Sequence, residues 1–124
     1  MAKFRQLAVW KRAMAFTTRV YQVSAKFPKS EIFGLTSQMR RAAVSIPLNI
    51  AEGSGSGSDA EFRRFVQIAF RSAYEVMAAV EIALNLGYLS KQLADELKQE
   101  AEEIAAMLEG LRRYLAKPRK AVKT

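Results

Sequence analysis

Four long segments of this chain place apolar residues at every third or fourth position, the spacing that gives a helix one apolar side. Strong turn signals separate them, namely Pro28, the low-complexity run at residues 54–58 and Gly87. No stretch alternates apolar and polar residues in the way that predicts a strand. The pattern therefore predicts an all-α fold. Helices are expected at about residues 5–27, 34–53, 59–86 and 90–116.

The predicted helix starts also carry local signals. Ser58 and Glu61 have the spacing of a capping box, and Ser90 is a suitable cap for the last helix. Four helices of this length, joined by short turns, favour an antiparallel up-down-up-down four-helix bundle. We expect residues 1–124 to form a single domain that ends in a flexible tail at residues 117–124.

The first predicted helix carries two apolar stripes, although one is enough for a helix in a small bundle. The first stripe consists of Val9, Ala13, Phe16, Val20, Val23 and Phe27. The second lies about 110° away around the helix and includes Trp10, Met14 and Tyr21. A second stripe suggests a second partner surface, so these three residues are predicted to contact another subunit.

Pro47 lies inside the second predicted helix, where a proline removes a backbone hydrogen bond at a cost of about 3 kcal/mol. A kink or a packing contact must offset that cost. The same segment carries a polar stripe at spacings of three and four: Gln38, Arg41, Ser45, Asn49 and Glu52. The stripe has two interpretations, a hydrogen-bonded structural or subunit contact, or a ligand site in which Arg41 grips a phosphate or carboxylate.

The chain is basic, with a formal net charge of +8, and its charge is unevenly distributed. Residues 1–74 contain twelve basic and four acidic side chains, whereas residues 75–111 contain two basic and eight acidic ones. Residues 112–124 contain six basic side chains and no acidic one. This balance favours a polyanionic partner, although a charged surface also serves solubility alone.

The basic residues chosen as candidates for binding nucleic acid lie on the outer sides of the first and third predicted helices. They are Lys11, Arg12, Arg19, Arg63, Arg64 and Arg71. Since the chain has no zinc finger, basic zipper or aromatic RNA-recognition signature, we expect contacts to the phosphate backbone rather than to base edges.

Catalysis is not expected, because the chain has no cysteine and no histidine. Histidine is the commonest general base, and the di-iron sites of helical bundles need it as well. We expect no cofactor and no metal. The first residues lack the apolar run of a signal peptide, and no stretch of 18 apolar residues exists, so no membrane contact and a cytoplasmic location are expected.

The strings LTSQMRRAAVSIPLNIAEG and EFRRFVQIAFRS resemble the four-helix bundle protein family that is encoded in intervening sequences of bacterial 23S ribosomal RNA genes. The pattern of Phe4, Leu7, Val9, Trp10 and Ala13 also fits. The accessory variability proteins of diversity-generating retroelements are similar in fold. The resemblance extends from about residue 4 to residue 115.

This resemblance implies an antiparallel bundle that assembles as a homopentamer. It also implies binding of nucleic acid, and of a reverse transcriptase in the retroelement type, through a basic surface. Two functions follow as hypotheses. The first is a non-enzymatic oligomeric bundle that binds the backbone of RNA or DNA. The alternative is a scaffold that docks an acidic partner or a reverse transcriptase.

Overall fold

The computed structural model describes residues 3–118, and all four predicted helices are present in it. Helix α1 is Ala8–Ser24, α2 is Leu35–Ser54, α3 is Asp59–Asn85 and α4 is Lys91–Ala116. Short 3-10 helices, Lys3–Gln6 and Lys29–Glu31, precede α1 and α2, and no strand occurs in the described part of the chain. The all-α prediction is confirmed. Of the predicted flexible tail, residues 119–124 lie outside the described residues.

Helix α1 is shorter than predicted at both ends. Leu7 has an extended backbone (φ −72°, ψ 127°), so the turn at Lys3–Gln6 is separate from α1. At the other end, the amide of Phe27 donates 3.1 Å to the carbonyl of Ser24, a tighter pattern than that of an α-helix. Pro28 disfavours a helical conformation for the residue before it, which explains the early end.

The predicted serine caps are confirmed. The Ser58 hydroxyl accepts a 3.1 Å hydrogen bond from the amide of Glu61, and that of Ser90 accepts one of the same length from Leu93. The reciprocal half of the capping box is different from the prediction, because the Glu61 carboxylate accepts instead from Arg64 at 3.0 Å. Each serine satisfies an amide that the first turn of a helix leaves without a partner.

The helices pack in the order α1, α2, α3, α4 around a common core. Within residues 3–118, α1 makes no contact with α3, and α2 makes none with α4, so these are the diagonal pairs. As residue numbers rise along one helix, the residues that they contact in a neighbouring helix have falling numbers. For example, Arg12 and Arg19 of α1 contact Glu103 and Glu96 of α4, so these two helices are antiparallel.

The core is built from one side of each helix. The first stripe of α1 contributes Val9, Ala13, Phe16 and Val20, all of them buried. Its second stripe is not buried in the same way, since Met14 and Tyr21 keep about two fifths of their surface exposed. The largest fully buried side chains include Phe16, Met39, Ile46, Ile50, Leu97, Ile104 and Leu108. The bundle therefore buries one stripe of α1 and leaves much of the other at the surface.

Pro47 is buried within α2. The carbonyl of Ala43, four residues earlier, would normally accept from the amide that a proline lacks. The hydroxyl of Thr17 on α1 reaches this carbonyl at 3.2 Å. A contact from a neighbouring helix thus supplies a donor at the position of the proline.

Candidate polyanion-binding surface

Ion pairs join the outer side of α1 to the acidic side of α4. A nitrogen of Arg12 lies 2.5 Å from Glu103, and Arg19 lies 2.5 Å from Glu96 and also pairs with Glu100. The hydrogen bond from Arg19 lowers the pKa of Glu96, and the same contact raises the pKa of Arg19. We call this set of contacts the α1–α4 seam. Two of the three α1 residues predicted to bind nucleic acid are therefore already paired.

The arginines of α3 also differ in whether they pair with a carboxylate. Arg64 pairs with Glu61 at 3.0 Å, and its guanidinium lies 4.9 Å from the centre of the Phe65 ring. Arg63 and Arg71 make no ion pair within residues 3–118. On α1, Lys11 is exposed and likewise has no ion pair in the described chain. Three of the six candidates thus have no carboxylate partner within residues 3–118.

The six candidates do not form one continuous surface. Helices α1 and α3 occupy diagonal corners of the bundle. Lys11 on α1 and Arg71 on α3 are both exposed, on the sides of their helices that face away from the core. A single stretch of polyanion on one subunit would therefore meet either the α1 group or the α3 group.

The structure brings further basic residues to the start of α3, and these were not among the candidates. Arg112 and Arg113 lie in the last two turns of α4, and Lys117 follows directly. Both arginines share the carboxylate of Glu109, at 2.7 and 3.6 Å. The sequence already contained a signal for them, namely the six basic residues at positions 112–124. What it did not contain was that the end of α4 lies at the same end of the bundle as the start of α3.

The polar stripe of α2 is divided between two roles. The amide of Asn49 donates to the Ser45 hydroxyl at 2.9 Å, and this hydroxyl also accepts from Ser72 of α3 at 2.8 Å. This part is a structural contact between α2 and α3. Arg41 lies beside Glu75 in a polar cleft, and neither makes an ion pair within residues 3–118. Gln38 and Glu52 are exposed.

An apolar area is exposed where α1 and α2 meet. Met14 is 43% exposed, Tyr21 42% and Leu48 54%. Trp10, the third predicted contact residue, is half-buried and packs edge-on against the ring of Phe4, with 5.0 Å between ring centres. We call Met14, Tyr21 and Leu48 the α1–α2 surface. Leu48 was not predicted as a contact residue, because the side of α2 that faces solvent depends on how the helix is rotated in the bundle.

The described residues contain no group of three or more carboxylates, histidines or cysteines that could hold a metal ion. None of the helices in residues 3–118 has the length and apolar character needed to cross a membrane. These features define a small, basic, all-helical bundle whose charged side chains are partly paired across helices.

The chain belongs to the 23S rRNA-intervening sequence protein family, whose family model matches residues 5–110. This confirms the resemblance noted from the sequence. A crystal structure of a protein with unknown function from the S23 ribosomal protein family of Bacteroides thetaiotaomicron has a similar fold, with a TM-score of 0.79. The two are 22% identical, and the match covers 85% of this chain and 95% of the other. A search among curated proteins found no match.

Proposed function

We propose that this protein is a non-enzymatic, homo-oligomeric helical bundle that binds the phosphate backbone of RNA or DNA. The observation that carries the proposal is the way its charges are paired. Within residues 3–118, the carboxylates of α4 pair only with two arginines of α1 and with lysines and arginines of α4 itself, so they neutralise a limited set of cations. Lys11, Arg63 and Arg71 remain without a carboxylate partner in residues 3–118.

Backbone binding fits these side chains better than base reading does. Exposed arginines and lysines on the outer sides of helices neutralise phosphates and release condensed counterions, which makes affinity fall steeply with salt. None of the helices within residues 3–118 presents a known base-reading motif. The family description refers to 23S rRNA, so structured ribosomal RNA is the first ligand to test.

Homo-oligomer formation is the second part of the proposal. Met14, Tyr21 and Leu48 expose apolar side chains in one area, and such areas mark protein contacts more often than scattered single residues do. The family resemblance implies a pentamer. Five copies of a chain with a net charge of +8 would concentrate a strong positive field in one particle.

The test is fluorescence anisotropy of labelled structured RNA and matched duplex DNA, at low and at near-physiological salt. We expect sub-micromolar binding at low salt with a steep salt dependence, and the ratio of the two affinities identifies the preferred nucleic acid. Absence of binding to both ligands at low salt would overturn the proposal.

A scaffold that docks an acidic protein or a reverse transcriptase is the alternative. One observation favours it: the connection before α2 exposes Phe33 at 95% and Ile32 at 48%. Lys29 lies nearby in the chain, so this connection combines apolar and basic side chains. If the protein ignores nucleic acid but binds a purified reverse transcriptase, and Phe33→Ser weakens that binding, the scaffold function is supported.

A further inference from the structure

Basic residues from two distant parts of the sequence meet at one end of the α3–α4 pair. Phe70 of α3 and Glu109 of α4 line the same groove, so these positions are at the same level of the bundle. Arg63 lies seven residues before Phe70, on the same side of α3 and about 10 Å nearer its start. Because the helices are antiparallel, Arg113 and Lys117 lie in the same direction, about 6 and 12 Å beyond Glu109. We call Arg63, Arg112, Arg113 and Lys117 the end patch.

The end patch keeps most of its positive charge. Glu109 pairs with both Arg112 and Arg113, so one carboxylate faces two guanidinium groups. The side chain of Arg113 stays 73% exposed in spite of this contact. Arg63 and Lys117 make no ion pair in the described chain. The patch therefore carries an excess of cations that can accept further anions.

The α1–α4 seam, unlike the end patch, has no excess of cations. Arg12 and Arg19 face Glu96, Glu100 and Glu103, so the seam has more carboxylates than guanidinium groups. A phosphate that approached Arg19 would have to replace two existing anionic partners. Arg63 and Lys117 of the end patch have no such anionic partner within residues 3–118, although Asp59 lies one helical turn before Arg63. Electrostatic binding is thus favoured at the end patch over the outer side of α1.

We propose that the end patch, and not the α1 group, is the main contact surface for the backbone of a nucleic acid. This inference rests on the proposed function, since it gives that binding a location. Its occupant is a chain of phosphates, because the cations of Arg113 and Lys117 lie about one helical turn apart at the end of α4, with Arg63 of α3 at the same end of the bundle. The basic residues Arg119, Lys120 and Lys123 follow in the sequence, outside the described residues, and are not part of the patch.

The experiment compares two triple variants that remove the same charge from opposite ends of the bundle. The first is Arg63→Gln, Arg113→Gln and Lys117→Gln. The matched control is Lys26→Gln, Lys29→Gln and Lys91→Gln, all at exposed positions near the far end. Binding of labelled structured RNA and duplex DNA is measured by anisotropy from 50 to 300 mM salt. Circular dichroism and thermal unfolding establish that both variants fold.

For the end-patch variant we expect at least a tenfold loss of affinity near 100 mM salt. The slope of log affinity against log salt concentration should be shallower by roughly 2 to 3, because each phosphate contact that is lost removes about 0.9. The control should stay within threefold of the wild type. The charge-retaining pair Arg63→Lys and Arg113→Lys should also bind nearly normally.

The two proposals fail in distinguishable ways. If the wild type binds neither nucleic acid at low salt, the proposed function fails. If the wild type binds and both triple variants lose affinity equally, binding depends on overall charge and the end patch is not its location. A folded end-patch variant with wild-type affinity would also overturn the inference.

Discussion

The hydroxyl oxygen of Thr17 on α1 lies 3.2 Å from the carbonyl oxygen of Ala43 on α2, the carbonyl that Pro47 leaves without a helical donor. The same hydroxyl is 2.7 Å from the carbonyl of Ala13 in its own helix. Its one proton can therefore serve either acceptor. The contact explains how a proline is tolerated inside a buried helix, because a threonine of the neighbouring helix offers the missing hydrogen bond.

A double-mutant cycle tests this pairing. Thr17→Val should lower the free energy of unfolding by about 1–3 kcal/mol, because it leaves the carbonyl of Ala43 without its donor. In a Pro47→Ala background the helix supplies an amide for Ala43, so the same substitution should cost about 1 kcal/mol less. Urea unfolding gives both values. Thr18→Val is the control, since Thr18 is exposed and donates to the carbonyl of Met14 in its own helix. Equal costs in both backgrounds would show that Thr17 and Pro47 are independent.

Replacing glycine by alanine should have opposite effects on stability at Gly53 and at Gly110. A Cβ added at Gly53 would lie 2.7 Å from Cβ of Phe65 and 2.8 Å from Cδ1 of Phe62, so Gly53→Ala should destabilise the protein by about 1–3 kcal/mol. At Gly110 within α4 an added Cβ would meet nothing within 4 Å. Gly110→Ala should therefore stabilise by about 0.5–1 kcal/mol. Thermal unfolding measures both, and a neutral Gly53→Ala would contradict the close packing of α2 on α3.

The α1–α4 seam should make stability depend on acid pH. Arg19 lowers the pKa of Glu96, and hydrogen bonds from Gln99 and Arg12 lower that of Glu103. A carboxylate with a lowered folded-state pKa stabilises the fold above its unfolded pKa, near 4.5, and that contribution is lost as the pH falls through the folded value. We expect unfolding free energy to decline below about pH 5.

The double variant Arg12→Gln and Arg19→Gln removes the arginines that lower these two pKa values, while the hydrogen bond from Gln99 to Glu103 remains. Its stability should fall less between pH 5 and pH 3 than that of the wild type, as measured by urea unfolding at low salt. The matched control is Arg5→Gln with Lys11→Gln, because both residues are exposed and have no ion pair in residues 3–118. An identical acid slope in the seam variant would mean that other carboxylates dominate.

Charge on the α1–α2 surface should disrupt the proposed oligomer. Met14→Glu and Leu48→Glu each place a carboxylate among exposed apolar side chains, and we expect both to lower the mass in light scattering coupled to size exclusion. The wild type should show a mass close to five times the 13.9 kDa of the chain. Ala15→Glu adds the same charge one position along α1, on the exposed side away from this surface, and should leave the mass unchanged.

These mass measurements separate two questions: whether the protein forms an oligomer, and where the subunit contact lies. A monomeric wild type would contradict homo-oligomer formation itself. A wild-type oligomer whose mass is unchanged by Met14→Glu and Leu48→Glu would place the subunit contact on another part of the bundle.

Local signals predicted the helices well because they act within a few residues. Ser58 and Ser90 cap the helices that they were expected to cap, and one apolar stripe of α1 identified its buried side. The start of α1 was misplaced because Lys3–Gln6 is helical but belongs to a separate turn.

The surface chemistry depended on which helices become neighbours, which periodicity does not specify. The sequence separates Arg19 from Glu96 by 77 positions, and only their packing shows that the two charges pair. For the same reason Arg63 and Lys117 were not recognised as parts of one patch. The role of Thr17 was equally hidden, since periodicity does not show that its hydroxyl reaches the carbonyl of Ala43 on α2.

Because α1 packs unevenly against its neighbours, it should separate from the bundle before the other helices unfold. Helix α3 packs extensively against both α2 and α4, whereas α1 makes its smallest helix contact with α4, and exposed ion pairs are part of that contact. Amide hydrogens of α1 should therefore exchange with solvent through a partial opening that leaves α2, α3 and α4 assembled. In high salt, where the ion pairs are screened, this partially open state should become more populated before the remaining three helices unfold.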